Sequence, residues 1–246
     1  DPISGITFLG GMNAIDSWDG NLVKTDIYNA DVRWEMVMKQ AQTVSVSSFY
    51  KYFLNPIEMI QIAGADGNFQ PRNVGNAEVF GAELEGKKQL SFISDDLKRF
   101  AVSFNYTYTS SRVKMSDMVR NSKEQNKRTG EVVGEYRDMA GQAPFLINGG
   151  FAYEGPKDSS AFAFFKLGVY YNVQGKTLQY VGITERPDVY SVPFHSLNFT
   201  ASKKFGPKKQ YKINVKASNL LNDIKEKVFV SYNTSDQLFS SLTPAR

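Results

Sequence analysis

Residues 98–110 read KRFAVSFNYTYTS, and taking every second residue separates two lists. Phe100, Val102, Phe104, Tyr106 and Tyr108 form one; Ala101, Ser103, Asn105, Thr107 and Thr109 form the other. A period of two marks a β-strand with unlike faces, because successive Cβ atoms point to opposite sides of the pleat. Here one face is apolar and aromatic, the other small and hydrogen-bonding. The pattern recurs along the chain. Tyr28, Ala30, Val32, Trp34 and Met36 oppose Asn29, Asp31, Arg33 and Glu35. Phe80, Ala82, Leu84 and Gly86 oppose Gly81, Glu83, Glu85 and Lys87. Phe165, Leu167, Val169, Tyr171 and Val173 oppose Lys166, Gly168, Tyr170 and Asn172. Leu197, Phe199 and Ala201 oppose Ser196, Asn198, Thr200 and Ser202, and Tyr211, Ile213, Val215 and Ala217 oppose Lys212, Asn214, Lys216 and Ser218.

These stretches predict strands near 24–37, 42–53, 76–90, 98–110, 143–154, 159–173, 194–204 and 210–221. No amphipathic helix is expected. The connections alternate in length: a tight turn at 38–41, a long loop at 54–75, a short turn at 91–97 and a long loop at 111–142. The turn GPKD at 155–158, a loop at 174–193, the turn FGPKK at 205–209 and a tail from 222 complete the series.

Composition narrows the class. The chain has 246 residues, 41% hydrophobic and 22% charged, which excludes a disordered polypeptide. Thirteen Tyr and 18 Phe supply interface belts as well as cores. There is no cysteine, hence no disulfide framework and no thiolate metal site. Net charge is +4, but the basic runs are as short as Lys203-Lys204 and Lys208-Lys209, which suits solvated turns and not a nucleic-acid surface. No apolar run approaches the roughly 20 residues of a membrane helix, a test to which barrel strands are blind.

Two architectures alternate in this way. A soluble β-sandwich, serving as a binding or adhesion module, has short strands and an aliphatic inward face. A transmembrane barrel has strands of about ten residues or more, a wet polar face, and long loops confined to one end. Strand length, the Asp, Glu, Lys and Asn of the polar faces, and the loop alternation favour the second. On that reading Tyr106, Tyr108, Tyr153, Tyr170 and Tyr171 form interface belts. The expected fold is an all-β, antiparallel transmembrane β-barrel segment of about eight to nine strands.

NLVKTDIYNADVRWEM (21–36), VSVSSFYKYFLNPIE (44–58) and FQPRNVGNAEVFGAELEGKKQL (69–90) resemble the carboxyl-terminal barrel half of TonB-dependent receptors of the Bacteroidota type. FHSLNFTASKKFG and YKINVKASNLLND, with its Asn-Leu-Leu-Asn signature, are similar to the last hairpin region of the same family. The resemblance spans roughly residues 21 to 223. It implies a plugged outer-membrane barrel of about twenty-two strands. It also implies energised uptake of a bulky nutrient, such as a siderophore or other metal complex, driven through TonB by way of an amino-terminal plug. The chain carries neither that plug nor the family's final strand and stops at SLTPAR, so residues 1–246 are expected to form a partial barrel, with part of a ninth strand in ISGITFL (3–9). Implied partners are outer-membrane lipid, the rest of the barrel and plug, the TonB complex, and a surface lipoprotein or barrel-assembly machinery. The strand pattern of the sugar-importing branch that works with such a lipoprotein is not seen, which leaves the ligand open.

Candidate chemistry is thin. His195 is the single histidine, and without cysteine it builds neither a usual zinc site nor a thiol nucleophile. It reads as a polar residue at the membrane rim. Glu83 and Glu85 share a strand face and read as lumen charges paired with Lys87 or a neighbouring strand. Asp95-Asp96 reads as a turn cap and GADG (64–67) as a loop turn. No catalytic residue, cofactor or metal site is expected. The charged loop 111–142 offers Arg112, Lys114, Arg120, Lys127, Arg128 and Arg137 as a grip for an anionic ligand, since long external loops are where such receptors first meet cargo.

Overall fold

The computed structural model describes residues 21–39, 42–61, 69–127, 132–158, 160–183, 187–230 and 237–242. In chain order the strands are β1 (Asp26–Met38), β2 (Gln42–Leu54), β3 (Ile57–Gln61), β4 (Phe69–Asn73), β5 (Ala77–Gln89) and β6 (Phe100–Lys114). After helix α1 (Asp117–Gln125) come β7 (Tyr136–Arg137), β8 (Phe145–Glu154), β9 (Phe165–Gln174), β10 (Thr177–Gly182) and β11 (Val189–Ser191). The last four are β12 (Phe194–Phe205), β13 (Tyr211–Ala217), β14 (Lys225–Phe229) and β15 (Gln237–Leu242). The expected strand at 3–9 and the turn at 64–67 lie outside the described residues.

Eight long strands form one antiparallel sheet in the order β1-β2-β5-β6-β8-β9-β12-β13, with the short β7 beside β6. Directly opposed residues share a face, so the register traces rows across the sheet. Trp34, Val46, Leu84, Tyr106, Ile147 and Val173 form one such row. One residue further along, Glu35, Ser45, Glu85, Asn105, Asn148, Asn172 and Ser196 form the next, on the other side. The period of two therefore survives across every hairpin, and the two faces stay chemically distinct over the whole sheet.

The apolar face is uncovered. Val32 is 72% exposed, Trp34 57% and Ile213 58%. A sandwich would bury these side chains beneath a second sheet; here nothing among the described residues covers them. Thirteen residues of β1 span about 43 Å at ~3.3 Å each, hence about 30 Å of height at a tilt of ~45°, the thickness of a hydrocarbon core. At the short-turn end this face closes in aromatic contacts: Phe100 stacks on Phe151 and meets Tyr153, and Phe205 stacks on Tyr211.

The polar face is concave. One cavity of about 620 Å³ is lined both by Gln42 of β2 and by Lys216 of β13, six strands apart in sheet order. At ~4.8 Å per strand those residues would stand about 29 Å apart on a flat sheet, too far to share a cavity of that size. The sheet curves like a segment of barrel wall, and β1 and β13 are its edges among the described residues.

All four long connections leave from the same end. They do not hang as separate loops. β3, β4, β10, β11, β14 and β15 join in a second sheet of order β15-β14-β11-β10-β3-β4, in which β10 runs parallel to β3 through Val181–Ile60 and Gly182–Gln61. The tail from 222, expected as irregular, supplies two strands of it. The apolar core lies in this outer layer: Ile60, Val119, Leu178, Val181 and Ile183 cluster there, flanked by Met115, Met118 and Tyr190. Each fully buried Leu or Val of this kind contributes about 1.5–3 kcal/mol.

Several local expectations change. A helix exists where none was expected. Its sequence DMVRNSKEQ places its apolar residues Met118 and Val119 side by side, so no 3.6-residue period is visible. Ser116 caps it, its Oγ accepting from the Val119 N–H at 3.3 Å. β9 starts at 165, not 159, because Phe164 takes a left-handed turn (φ 56°) held by its N–H on the Pro156 carbonyl. At Asp95-Asp96 the capping group is Ser94, whose Oγ accepts from the Asp96 N–H. Tyr170 is not a belt residue: it opposes Gly150 and Asn198 and stands on the concave face.

Candidate functional site

The concave wall and the underside of the outer layer enclose a cavity of about 680 Å³. Its wall side is built by Asn148 of β8, Asn172 and Gln174 of β9, and Ser196 and Asn198 of β12; its roof includes Gln179, Ser191 and Lys225. A second hollow of about 310 Å³ joins it at Asn148, Asn172 and Asn198 and reaches down to Tyr170 and Lys87. Both volumes fall near the ~300–1,000 Å³ typical of ligand sites.

Each wall residue is set by strand register and then by a neighbour. Glu85 accepts from Arg33 Nη2 at 2.7 Å, from Ser45 Oγ at 3.0 Å and from Asn105 Nδ2 at 3.2 Å. Asn148 Nδ2 in turn donates to Asn105 Oδ1 at 3.1 Å, so one chain of bonds crosses five strands. Asn198 exchanges with Ser196, and its Oδ1 accepts from the Asn219 N–H at 3.1 Å. Asn172 sits in the same row between Asn148 and Ser196, and its carboxamide has no partner among the described residues. Glu83 accepts from Ser47 at 3.3 Å, so the two glutamates act as separate wall groups and not as an acid–base couple.

The five described loop cations are dispersed. Arg112 lies on β6, on the lipid side, donating to Glu78 at 2.6 and 2.8 Å with the Tyr136 ring 5.6 Å away. Lys114 ends the same strand. Arg120 faces Asp117 at 3.5 Å, and Lys127 bonds Glu124, each within one turn of chain. Arg128 lies outside the described residues. Arg137 turns inward: its side chain is 8% exposed and its Nη2 donates to Glu58 at 2.6 Å. Four of the five described cations thus have carboxylate partners, and the structure does not gather them into one anion cradle.

Sequence reasoning missed what does hold the layer together. Glu58, 2% exposed, also accepts from the Ala140 N–H at 2.8 Å. Asp188 accepts from Lys123 Nζ of α1 at 2.5 Å and from the Gly182 N–H at 2.9 Å. Burial pushes the Asp138 carboxyl above its ordinary range and draws the Arg72 guanidinium below its own. Tyr170 carries a signal in the sequence that its assignment to a belt passed over: an aromatic on a polar face, two residues from Gly168.

His195 lies at the start of β12. It shares the lipid-side row with Val173; its Nδ1 meets the Tyr171 hydroxyl at 2.6 Å and its N–H donates to Asp223 at 2.7 Å. The Asn-Leu-Leu-Asn signature is a turn at the outer end of β13. Asn219 and Asn222 both adopt positive φ, and Leu220 and Leu221 project outward, half exposed.

No curated protein matches the chain. A family model does: that of the TonB dependent receptor-like β-barrel, over residues 6–220. The match covers all eight wall strands and the loops between them. The chain therefore belongs to the β-barrel family of TonB-dependent receptors.

Proposed function

We propose that this chain is the wall and outer vestibule of an outer-membrane receptor of the Bacteroidota type that imports a bulky nutrient by TonB-coupled transport. One observation carries the reading: an open, two-faced antiparallel wall whose four long loops leave a single end and merge into one layer over the concave side. The eight strands form part of a larger barrel, whose remaining wall and plug come from further chain. The apolar face meets lipid; the concave face meets plug and cargo. The protein transports and does not catalyse. A siderophore or other metal complex is the cargo class that the family resemblance suggests, and the loop cations lend it little support because they pair with Glu78, Asp117, Glu124 and Glu58. Partners are the plug and the TonB complex, with a surface lipoprotein as a further candidate.

The test is genetic and biochemical. The intact receptor should fractionate with the outer membrane, need detergent for extraction, and shift on gels upon boiling. Cells lacking TonB should lose uptake of its cargo to the level of cells lacking the receptor. Recovery in the soluble fraction, or TonB-independent uptake, would overturn the reading.

A further inference from the structure

The lipid-side rows of the eight wall strands are charged only at their ends, and the two ends differ. At the outer end Arg112 and Lys114 are balanced by Glu78 and Asp26. At the short-turn end stand Lys88 and Lys203, and these rows hold no carboxylate there. The turns continue the imbalance. Residues 203–212 include five lysines and no carboxylate. Lys98, Arg99 and Lys157 share their turns with Asp95, Asp96 and Asp158. On the concave side of this end Lys87, Arg99, Lys166 and Lys216 line the 620 Å³ cavity with Glu154. Among the described residues Lys166, 2.7 Å from Glu154, is the only one of these cations in contact with a carboxylate.

Two lysines are instead held by neutral groups of a neighbouring turn. Lys203 Nζ donates to the Ala161 carbonyl at 2.8 Å. Lys209 Nζ stands 4.6 Å from the centroid of the Phe164 ring. The two turns are pinned together, since the Lys204 N–H donates to the Phe164 carbonyl at 3.3 Å. Neither a carbonyl nor a ring cancels an ammonium charge, and Lys203 uses only one of its three N–H donors. Both charges are thus brought to the short segment 161–164 and left unneutralised. Apolar surface adjoins them. Phe162 is 64% exposed, and the stacked pair Phe205 and Tyr211 leads onto Ile213 of the lipid face. Lys88 repeats the arrangement on β5, with Nζ 4.7 Å from the ring centroid of an exposed Phe92.

A fixed cation pair bordering an apolar strip matches a molecule with an anionic head and hydrocarbon tails. We infer that the rim between turns 155–164 and 205–210 binds an anionic phospholipid of the leaflet on the short-turn side. Its phosphodiester sits between Lys203 and Lys209, and its acyl chains lie along Phe205, Tyr211 and Ile213. An acidic peptide would satisfy the lysines but leave that strip uncovered. The inference rests on the membrane-wall part of the transport reading and on nothing about cargo.

The experiment reconstitutes the full receptor in phosphatidylcholine vesicles containing a minor fraction of phosphatidylglycerol. Electron spin resonance then reads how much spin-labelled lipid of each headgroup the protein immobilises. Phosphatidylglycerol should be favoured about threefold or more. Lys203→Gln/Lys209→Gln should remove at least half of that excess, while Lys24→Gln, at the outer end, should leave it unchanged. Boiling-dependent gel shifts verify that each variant is assembled. The inference fails if the native receptor shows no preference or if the double variant keeps all of it. It fails too if inorganic phosphate displaces the lipid, which would mark a free-anion site. Resistance of Lys203 and Lys209 to amine acylation in phosphatidylcholine alone would place another protein segment on them and overturn it as well. TonB-dependent uptake without a lipid preference would leave the transport reading in place. Lipid preference without energised uptake would remove that reading alone.

Discussion

The guanidinium of Arg137 meets the carboxylate of Glu58 at 2.6 Å, joining positions 79 residues apart with less than a tenth of either side chain exposed. Removing one member of a buried pair strands the other charge, at a cost of about 3–5 kcal/mol, whereas replacing both with apolar side chains is often nearly neutral. Arg137→Met alone should therefore loosen the outer layer, seen as faster hydrogen exchange in β3 and at Ala140. The double variant Glu58→Leu/Arg137→Met should restore slow exchange. Equal loosening in both variants would show that the pair is not what holds these segments.

The two sides of the wall should respond oppositely to the same substitution. Leu84 faces lipid, and an arginine near the bilayer midplane costs about 2–4 kcal/mol. Thr107 lies opposite Glu83 on the concave face, where an arginine gains a carboxylate partner. Leu84→Arg should lower the amount of assembled, heat-modifiable barrel in the outer membrane, while Thr107→Arg leaves it near the native level.

Asn219 combines a left-handed backbone (φ 52°) with burial and bonds to Asn198 and Asp223. Alanine would lose the side-chain bonds and add roughly 1–2 kcal/mol of backbone strain; glycine would lose the bonds alone. Asn219→Ala should accordingly be more destabilising than Asn219→Gly by about 1 kcal/mol, measured as urea midpoints of the refolded receptor. The reverse order would remove backbone strain from the account.

In the turn after β8, hydrogen bonds from the Ser160 side chain and N–H hold the Asp158 carboxyl below its ordinary value of 3.8. A depressed carboxylate pKa contributes stability above the unfolded value and loses it as pH falls through the folded one. Carboxyl-carbon NMR of the labelled receptor should give a midpoint below 3.8, and Ser160→Ala should raise it. An unchanged midpoint in that variant would assign the shift elsewhere.

The eight wall strands were legible because each carries its own two-faced code, and a lipid boundary enforces that code residue by residue. Alternation in Phe100–Lys114 needs no distant partner to be seen. The outer layer obeys no such local rule. IEMIQ and VYS complete their pairing with strands distant in sequence, β10 more than a hundred residues on for the first and β14 about forty residues on for the second. The same reason hid the loop cations' roles: Arg137 reads as one more solvated charge until Glu58 is brought beside it. Tyr170 fell between the two cases. Its side of the strand was read correctly from the alternation, yet its aromatic character drew it into the interface belt, and only Gly168 and Gly150, which lie against its ring, explain an aromatic side chain on a wet wall.

The parallel contact of β10 with β3 gives the outer layer a mechanical property that separate loops lack. Through it the connections after β2, β9 and β13 become one plate of backbone hydrogen bonds, with α1 clamped on by Lys123 and Asp188. A plate cannot yield at one corner without breaking several bonds together. A particle that presses on any loop thus loads all of them, so admission to the interior is a collective, threshold-like event and not the bending of a single arm.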